Sequence, residues 1–235
     1  MRTNHKLLDL FSGIGGFSLG AERNGIETIG FVEKDKFCQK VLKKHWPNVP
    51  IFDDIRKLKG TDIGTVDIIT GGYPCQPFSV AGKQKAEQDP RHLWPEYFRL
   101  IQELRPTWVI GENVSGHIKL GLDSVLEDLA SEGYSTRTFS ISASSIGANH
   151  KRERIWTVAN SNSKRQQEQW WPISVERQRK KRQELECESW WESEPRVGRV
   201  AHGIPKRVDR LKTLGNAVVP HIPYLIGQAI VESYQ

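Results

Sequence analysis

The stretch KLLDLFSGIGG at residues 6–16 decides the fold class of this chain. Residues 6–11 are a short apolar run that predicts a β-strand, and a glycine-rich turn at residues 12–16 follows directly. Residues 17–24 then have the apolar spacing of a helix. Glycine lets the backbone turn tightly and approach a ligand, and the first N–H groups of a helix have no partner within it. The stretch therefore predicts a strand–turn–helix unit with a ligand site at the turn.

The same alternation of strand and helix continues along the first 160 residues. Further strands are predicted at residues 28–33, 66–70, 108–111, 135–142 and 155–158, and helices at 36–45, 96–104, 124–132 and 221–231. Such alternation is typical of an α/β fold with a mostly parallel sheet and helices on both faces. Residues 160–207 break the pattern, since they are polar and basic and carry two Trp–Trp pairs. We expect a sheet domain at 1–159, an insert at 160–207 and a C-terminal segment at 208–235 that completes the sheet domain.

Composition and charge restrict the class of protein. No apolar run approaches the ~18 residues of a membrane span, and the N-terminus lacks a secretory signal, so we expect a cytosolic protein. The 3 cysteines have neither paired nor metal-like spacing, which disfavours a disulfide framework and a structural zinc. The net charge is +6, and residues 160–207 alone hold 11 Lys and Arg against 7 Asp and Glu. This concentration of positive charge suits a polyanionic partner.

Two acids follow predicted strands beyond the glycine-rich turn. Glu33 lies 17 positions after Gly16, at a distance that suits a hydrogen bond to a ribose hydroxyl, and Asp54 follows a third strand. Together with the turn, they indicate a cofactor that contains a nucleoside. The residues alone leave NAD open, and they also allow an ordinary turn with acids that face solvent.

A cysteine stands in a proline-rich segment, GGYPCQPFS at residues 71–79, after another predicted strand. Pro74 and Pro77 limit the backbone freedom around Cys75 and would fix the direction of its thiol. Open α/β sheets place their sites at the carboxyl ends of strands, where this segment begins. Cys75 is therefore a candidate nucleophile, although a buried structural cysteine remains an alternative.

Three charged residues follow or occupy later strands. Glu112, after the run WVIG, could have its pKa raised by burial and act as an acid, or it could cap a helix. Arg152 and Arg154 alternate on one face of a strand-like run, where they could hold a phosphate or a base carbonyl, or could be solvated.

Taken in order, these motifs resemble the cytosine-5 DNA methyltransferase family. Residues 11–16 resemble its cofactor loop, 74–76 (PCQ) its nucleophile motif, and 112–114 (ENV) its acid motif. Residues 152–154 (RER) match the end of its arginine motif, and 215–220 (GNAVVP) match the motif that follows the target recognition region. Two features depart from the family: His150 stands where the arginine motif usually has Gln, and residues 160–207 are short for a recognition region.

The resemblance implies a Rossmann-like methyltransferase sheet with a small inserted recognition region, and S-adenosylmethionine as the methyl donor. Cys75 would add to carbon 6 of a flipped cytosine, Glu112 would protonate nitrogen 3, and Arg154, supported by Arg152, would bind the base carbonyl. No metal is expected. The residues expected to bind the cofactor are Phe11, Gly13, Gly15, Gly16, Glu33, Asp54 and Asn216.

The resemblance also implies duplex DNA as the partner of the basic insert. Lysine and arginine neutralise phosphates and read base edges, although each cation could equally be solvated. The candidates for DNA contact are Gln76 and Ser79 beside the nucleophile, and Arg177, Arg179, Lys180 and Arg182 in the insert. We expect a monomer in a bacterial cytoplasm or a phage-infected cell, with a cognate restriction endonuclease as a possible partner.

Two other functions compete with this prediction. Relatives of the family methylate a tRNA cytosine, and nothing in the catalytic motifs excludes RNA. A non-catalytic DNA-binding relic of the fold is the second alternative. The presence of Cys75, Glu112 and the cofactor glycines argues against a relic.

Overall fold

The computed structural model describes residues 5–74, 93–161 and 213–234. The strands are β1 (Lys6–Leu10), β2 (Glu27–Val32), β3 (Ile51–Phe52), β4 (Ile68–Gly71), β5 (Trp108–Val114), β6 (Ser135–Ser142) and β7 (Glu153–Asn160). The helices are α1 (Gly16–Glu22), α2 (Lys36–His45), α3 (Trp94–Leu104), α4 (His117–Leu120), α5 (Leu122–Ser131) and α6 (His221–Glu232). Short 3-10 turns lie at Gly60–Asp62 and Ala143–Ile146. Each predicted strand and helix is present, although β5 extends past its predicted end at residue 111 to Val114. Helix α4 was not predicted because one helical turn is too short for a periodic pattern.

One seven-stranded sheet organises the chain, in the order β3-β2-β1-β4-β5-β7-β6. The first five strands in this order are parallel, and β7 runs antiparallel to both β5 and β6. The α/β fold with a mostly parallel sheet is therefore confirmed. The chain proceeds outward from β1 on one side and from β4 on the other, so the switch of direction lies between these strands. Ligands of open α/β sheets bind at such a switch, beyond the carboxyl ends of the strands.

Alternating side chains build a separate hydrophobic core on each face of the sheet. Leu8, Ile69 and Val109 belong to the core that contains helices α3 and α5. Their neighbours along the strands, such as Leu7 and Ile68, belong to the core that contains α1 and α6. Successive side chains of a strand point to opposite faces of the sheet. Because helices cover both faces here, both sets of side chains are buried, and the strands are continuously hydrophobic in sequence.

The C-terminal helix α6 packs directly on α1. The Asn24 side chain donates a 2.8 Å hydrogen bond to the Tyr224 carbonyl, and Gly20 leaves room for the backbone at Pro220. Within the described part of the chain, Thr213–Glu232 is the one helical segment long and apolar enough, by length and composition, to cross a membrane. Its residues 217–219 are not helical, and its contact with α1 favours a core helix.

Asp9 is a fully buried acid in the centre of the sheet. Its two carboxylate oxygens accept hydrogen bonds from the hydroxyls of Ser18 in α1 (2.9 Å) and Thr70 in β4 (3.1 Å). Burial raises the pKa of Asp9 from its ordinary value of 3.8 to about 7, and the two hydrogen bonds oppose that rise. Asp9 thus connects the cofactor-loop helix to the strand that leads to the cysteine segment.

Asp9→Asn is expected to change how the stability of the protein depends on pH. The folded chain keeps the Asp9 proton up to a pH of about 7, whereas the unfolded chain releases it near 3.8, so the free energy of unfolding falls across that interval. Asparagine has no proton to release. The melting temperature of the variant relative to wild type should therefore be higher at about pH 8 than at about pH 5. Thermal unfolding followed by circular dichroism measures this difference, and an equal offset at both values would contradict the role of Asp9.

Candidate active site

The loop after β1 and the acid after β2 are joined by hydrogen bonds. One Glu33 oxygen accepts from the Gly13 backbone N–H (2.7 Å), and the other accepts from the Asp35 backbone N–H (2.6 Å). Burial raises the pKa of Glu33, and these backbone hydrogen bonds oppose the rise. Gly15 has a φ of 86°, a left-handed conformation that favours glycine, where α1 begins. The predicted cofactor residues Gly13, Gly15 and Glu33 are therefore brought together at the carboxyl edge of the sheet.

Asp54 follows β3, as predicted, and is ion-paired with Arg56. Its oxygens lie 2.9 Å from Arg56 Nε and 2.8 Å from Nη2. The hydrogen bonds from Arg56 lower the pKa of Asp54 to about 2, so this carboxylate is charged at neutral pH. A carboxylate has four lone-pair sites and can accept from a ligand amino group as well.

The segment before α6 lies against the start of α1. A Cβ on Gly16 would lie 2.6 Å from the Val218 carbonyl oxygen, so only glycine allows this approach. Asn216, predicted to bind the cofactor, is exposed two residues before Val218. Phe11 is partly buried against the core and lies 6.3 Å, between ring centroids, from Tyr97. The segment between Thr213 and α6 therefore lies beside the glycine-rich loop that follows β1.

Glu112 and Arg154 form an ion pair at the carboxyl end of β5. The Glu112 Oε1 atom lies 3.1 Å from Arg154 Nε, and the Glu112 residue is only 9% exposed. Burial raises the pKa of Glu112, and the charges of Arg154 and Arg152 oppose that rise. The contact between Glu112 Oε1 and Arg154 is held by charge rather than by a well-aligned hydrogen bond.

The structure excludes one alternative role for Glu112 and one for Arg154. Glu112 does not cap a helix, because β5 extends to Val114 and Glu112 pairs with Trp156 of β7. The strand was predicted to end at Gly111 because Glu and Asn have low strand propensity, but the antiparallel pairing with β7 stabilises the polar end. Arg154 is not a solvated edge residue either, since it is ion-paired with Glu112.

Arg152 makes a different contact from Arg154. Its Nη1 donates to the Gly215 backbone carbonyl, which lies 63 positions later in the chain. Desolvation lowers the pKa of Arg152, helped by the nearby charge of Arg154. Arg152 therefore connects the arginine strand to the segment that lies against the cofactor loop.

The end of β4 brings the first residues of the cysteine segment next to Glu112. A Cβ on Gly72 would lie 3.2 Å from Glu112 Oε2, which places the backbone three residues before Cys75 beside the buried carboxyl group. Cys75, Gln76 and Ser79 lie outside the described residues, as do the insert candidates Arg177, Arg179, Lys180 and Arg182.

Three residues that sequence reasoning did not assign to the site also lie here. The Asn113 side chain donates to the Tyr73 carbonyl (3.1 Å), and the Tyr73 hydroxyl is 2.8 Å from His117 Nε2. The position of Asn113 within ENV was the available signal for the first contact. No local pattern connects Tyr73 to His117, because they are 44 residues apart.

The comparisons with known proteins agree with this geometry. The family model for C-5 cytosine-specific DNA methylase matches residues 5–202. A type II methyltransferase of Herpetosiphon aurantiacus, M.HgiCII, is 36% identical over 161 residues, which cover 65% of this chain and 36% of that protein.

Two solved structures are also similar. One is a protein described as a DNA modification methyltransferase from an E. coli prophage, with a TM-score of 0.57, 30% identity, and 67% of this chain and 47% of that chain covered. The other is a mutant DNMT2 of Spodoptera frugiperda, with a TM-score of 0.61, 25% identity, and 73% and 53% covered. This chain thus spans about half or less of the length of these proteins. It belongs to the C-5 cytosine-specific DNA methylase family.

Proposed function

We propose that this chain is a DNA (cytosine-5-)-methyltransferase that transfers a methyl group from S-adenosylmethionine to a flipped cytosine in duplex DNA. The observation that carries the proposal is the buried Glu112–Arg154 pair beside Gly72, at the start of the segment that contains Cys75. Methylation of a cytosine ring requires an acid, a cation and a nucleophile, and Cys75 follows Gly72 by three residues.

The described residues fit the proposed cofactor. A Cβ at Gly13 would meet no atom of the described residues within 4 Å, so these residues leave space beside the loop. The carboxylates of Glu33 and Asp54 follow neighbouring strands and are suited to ribose hydroxyls and to an adenine amino group, respectively. Phe11, Gly15, Gly16 and Asn216 would complete the site. When bound, S-adenosylmethionine supplies an electrophilic methyl group.

Cys75 activates the cytosine ring by covalent addition. Its thiolate forms a bond to carbon 6, which breaks the aromaticity of the ring and makes carbon 5 nucleophilic. After carbon 5 has gained the methyl group it loses its proton to a base, the electron pair of that C–H bond restores the 5,6 double bond, and the sulfur leaves carbon 6 as a thiolate. Nitrogen 3 then returns the proton it received to the Glu112 carboxylate.

Glu112 and Arg154 control the charge on the ring during this addition. A protonated Glu112 donates its proton to nitrogen 3, and the raised pKa of Glu112 increases the protonated fraction near neutral pH. Arg154 binds the carbonyl oxygen at position 2 and stabilises the negative charge that develops there. Arg152 supports this arrangement through its contact with Gly215. Carbon 6 is inaccessible in stacked DNA, so the target base must leave the helix.

The remaining parts of the chain have proposed roles in the same reaction. Residues 1–159 and 208–235 would form the catalytic domain, and the basic residues 160–207 would contact DNA together with Gln76 and Ser79. We further propose that the protein is a cytoplasmic monomer. Its similarity to type II methyltransferases supports the proposal of a cognate restriction endonuclease.

A covalent trapping experiment tests the reaction class and the substrate together. The protein is incubated with tritiated S-adenosylmethionine and either duplex DNA or a matched RNA, each with 5-fluorocytosine in place of cytosine. Fluorine at carbon 5 blocks the last elimination, so we expect a radioactive covalent adduct on DNA. An adduct on RNA alone would replace the proposed substrate, and no adduct on any of a varied set of DNA duplexes, with cofactor binding demonstrated, would favour a non-catalytic relic.

Glu33→Ala is expected to weaken S-adenosylmethionine binding roughly tenfold or more, because hydrogen bonds to a charged group contribute about 1.5–3 kcal/mol. The variant also releases the Gly13 N–H from its carboxylate partner. Isothermal titration calorimetry measures the dissociation constant. Glu27→Ala, at an exposed acid at the start of β2, is the matched control. Equal constants for both variants would remove Glu33 from the cofactor site.

A further inference from the structure

Tyr73 is held at both its backbone and its side chain. Its carbonyl accepts a 3.1 Å hydrogen bond from the Asn113 amide, and its hydroxyl forms a 2.8 Å hydrogen bond with His117 Nε2. Tyr73 and His117 are each only 5% exposed. Asn113 lies in β5, the strand that carries Glu112, and His117 is the first residue of α4, three residues after that strand ends.

The surroundings of the Tyr73 ring leave it little freedom. The ring centroid lies 5.1 Å from that of Trp94, 5.9 Å from that of Tyr97 and 5.4 Å from that of His117. A Cβ on Gly111 would lie 3.2 Å from Tyr73 Cε1, so the ring packs closely on the backbone of β5. The ring is thus packed on several sides, and its hydroxyl points to a specific buried partner.

We propose that His117 and Tyr73 are positioning residues that set the distance between the nucleophile Cys75 and the acid Glu112. This inference rests on the proposed function. Tyr73 is two residues before Cys75, and two residues of chain span about 7 Å at most, so the position of the Tyr73 backbone limits where the Cys75 backbone can lie. His117 is three residues after Val114, the end of β5, so its hydrogen bond ties the acid strand to the nucleophile segment.

The chemistry of the proposed reaction explains why the separation of Cys75 and Glu112 matters. Cys75 must reach carbon 6 while Glu112 reaches nitrogen 3 of the same ring, so an error in their separation cannot be corrected by moving the base. A displacement of about 1 Å at a reacting group can reduce a rate by about a hundredfold. The Asn113 contact fixes the backbone of Tyr73, and the His117 contact fixes the direction of its ring.

Tyr73→Phe tests the inference because it removes only the hydroxyl. We expect the rate of adduct formation with 5-fluorocytosine DNA, and kcat, to fall about tenfold. The dissociation constant for S-adenosylmethionine should stay within about twofold of wild type, since the cofactor loop is untouched. His117→Leu should reproduce the loss, whereas His117→Gln, which can still hydrogen-bond to the Tyr73 hydroxyl, should recover part of the rate.

Tyr97→Phe is the matched control. Tyr97 packs against Tyr73 in the same core, and its hydroxyl donates to the Ile110 carbonyl (3.1 Å) rather than to a residue beyond β5. The two variants should lower the melting temperature similarly, but only Tyr73→Phe should slow adduct formation. Equal rates in the two variants would reduce the His117–Tyr73 contact to core packing. A wild-type protein that forms no adduct would overturn the proposed function and this inference with it.

Discussion

Cys75→Ser is expected to reduce methyl transfer by about a thousandfold or more, the scale of loss seen when an enzyme loses its covalent nucleophile. A serine hydroxyl is far less acidic than a thiol, and no general base is assigned to this position, so it would not add to carbon 6 at a useful rate. Cofactor and DNA binding should remain close to wild type, because neither depends on the sulfur. A filter assay for tritiated methyl groups on DNA measures transfer, and gel shift and calorimetry measure binding.

Cys38 provides the control for this prediction. Cys38 is buried in α2, which follows β2, whereas the cysteine segment follows β4 in the chain. Cys38→Ser should therefore retain transfer, apart from a loss of stability. Turnover that persists in Cys75→Ser, or that disappears in Cys38→Ser at a temperature where the protein is folded, would contradict the assignment of Cys75 as the nucleophile.

Glu112→Gln is expected to lower kcat by about 10²–10⁴-fold, the usual contribution of a general acid. Glutamine keeps the size and the hydrogen-bonding capacity of the side chain but cannot donate a proton to nitrogen 3. It also leaves Arg154 without its ionic partner. Single-turnover kinetics with labelled S-adenosylmethionine measure the step directly.

The pH dependence provides a second readout for Glu112. Burial raises the pKa of Glu112, and the protonated form is the active one, so wild-type kcat/KM should fall as pH rises through that pKa. This limb of the profile should be missing in Glu112→Gln. Glu127→Gln, at an exposed acid of α5, is the control and should keep both the rate and the limb. An unchanged profile in Glu112→Gln would show that another group supplies the proton.

The comparison of sequence with structure explains which features were predictable. Alternating apolar runs gave the strands and helices, because the periods of two and 3.6 are properties of neighbouring residues. The end of β5 was predicted wrongly because its polar residues are stabilised by pairing with β7, whose position in the sheet no local pattern reveals. Motif order pointed to the chemical groups but did not give the distances between them.

The sequence by itself determined the α/β class, the glycine-rich turn after β1, the two candidate acids that follow β2 and β3, and the resemblance to the family. The tertiary structure alone decided which side chains meet: Glu112 with Arg154, Arg152 with the Gly215 carbonyl, and Tyr73 with His117. The physical reason is that local propensity acts over a few residues, whereas these contacts join residues 42, 63 and 44 positions apart. Such pairs depend on the strand order and on the register of β5 against β7, which only the packed sheet fixes.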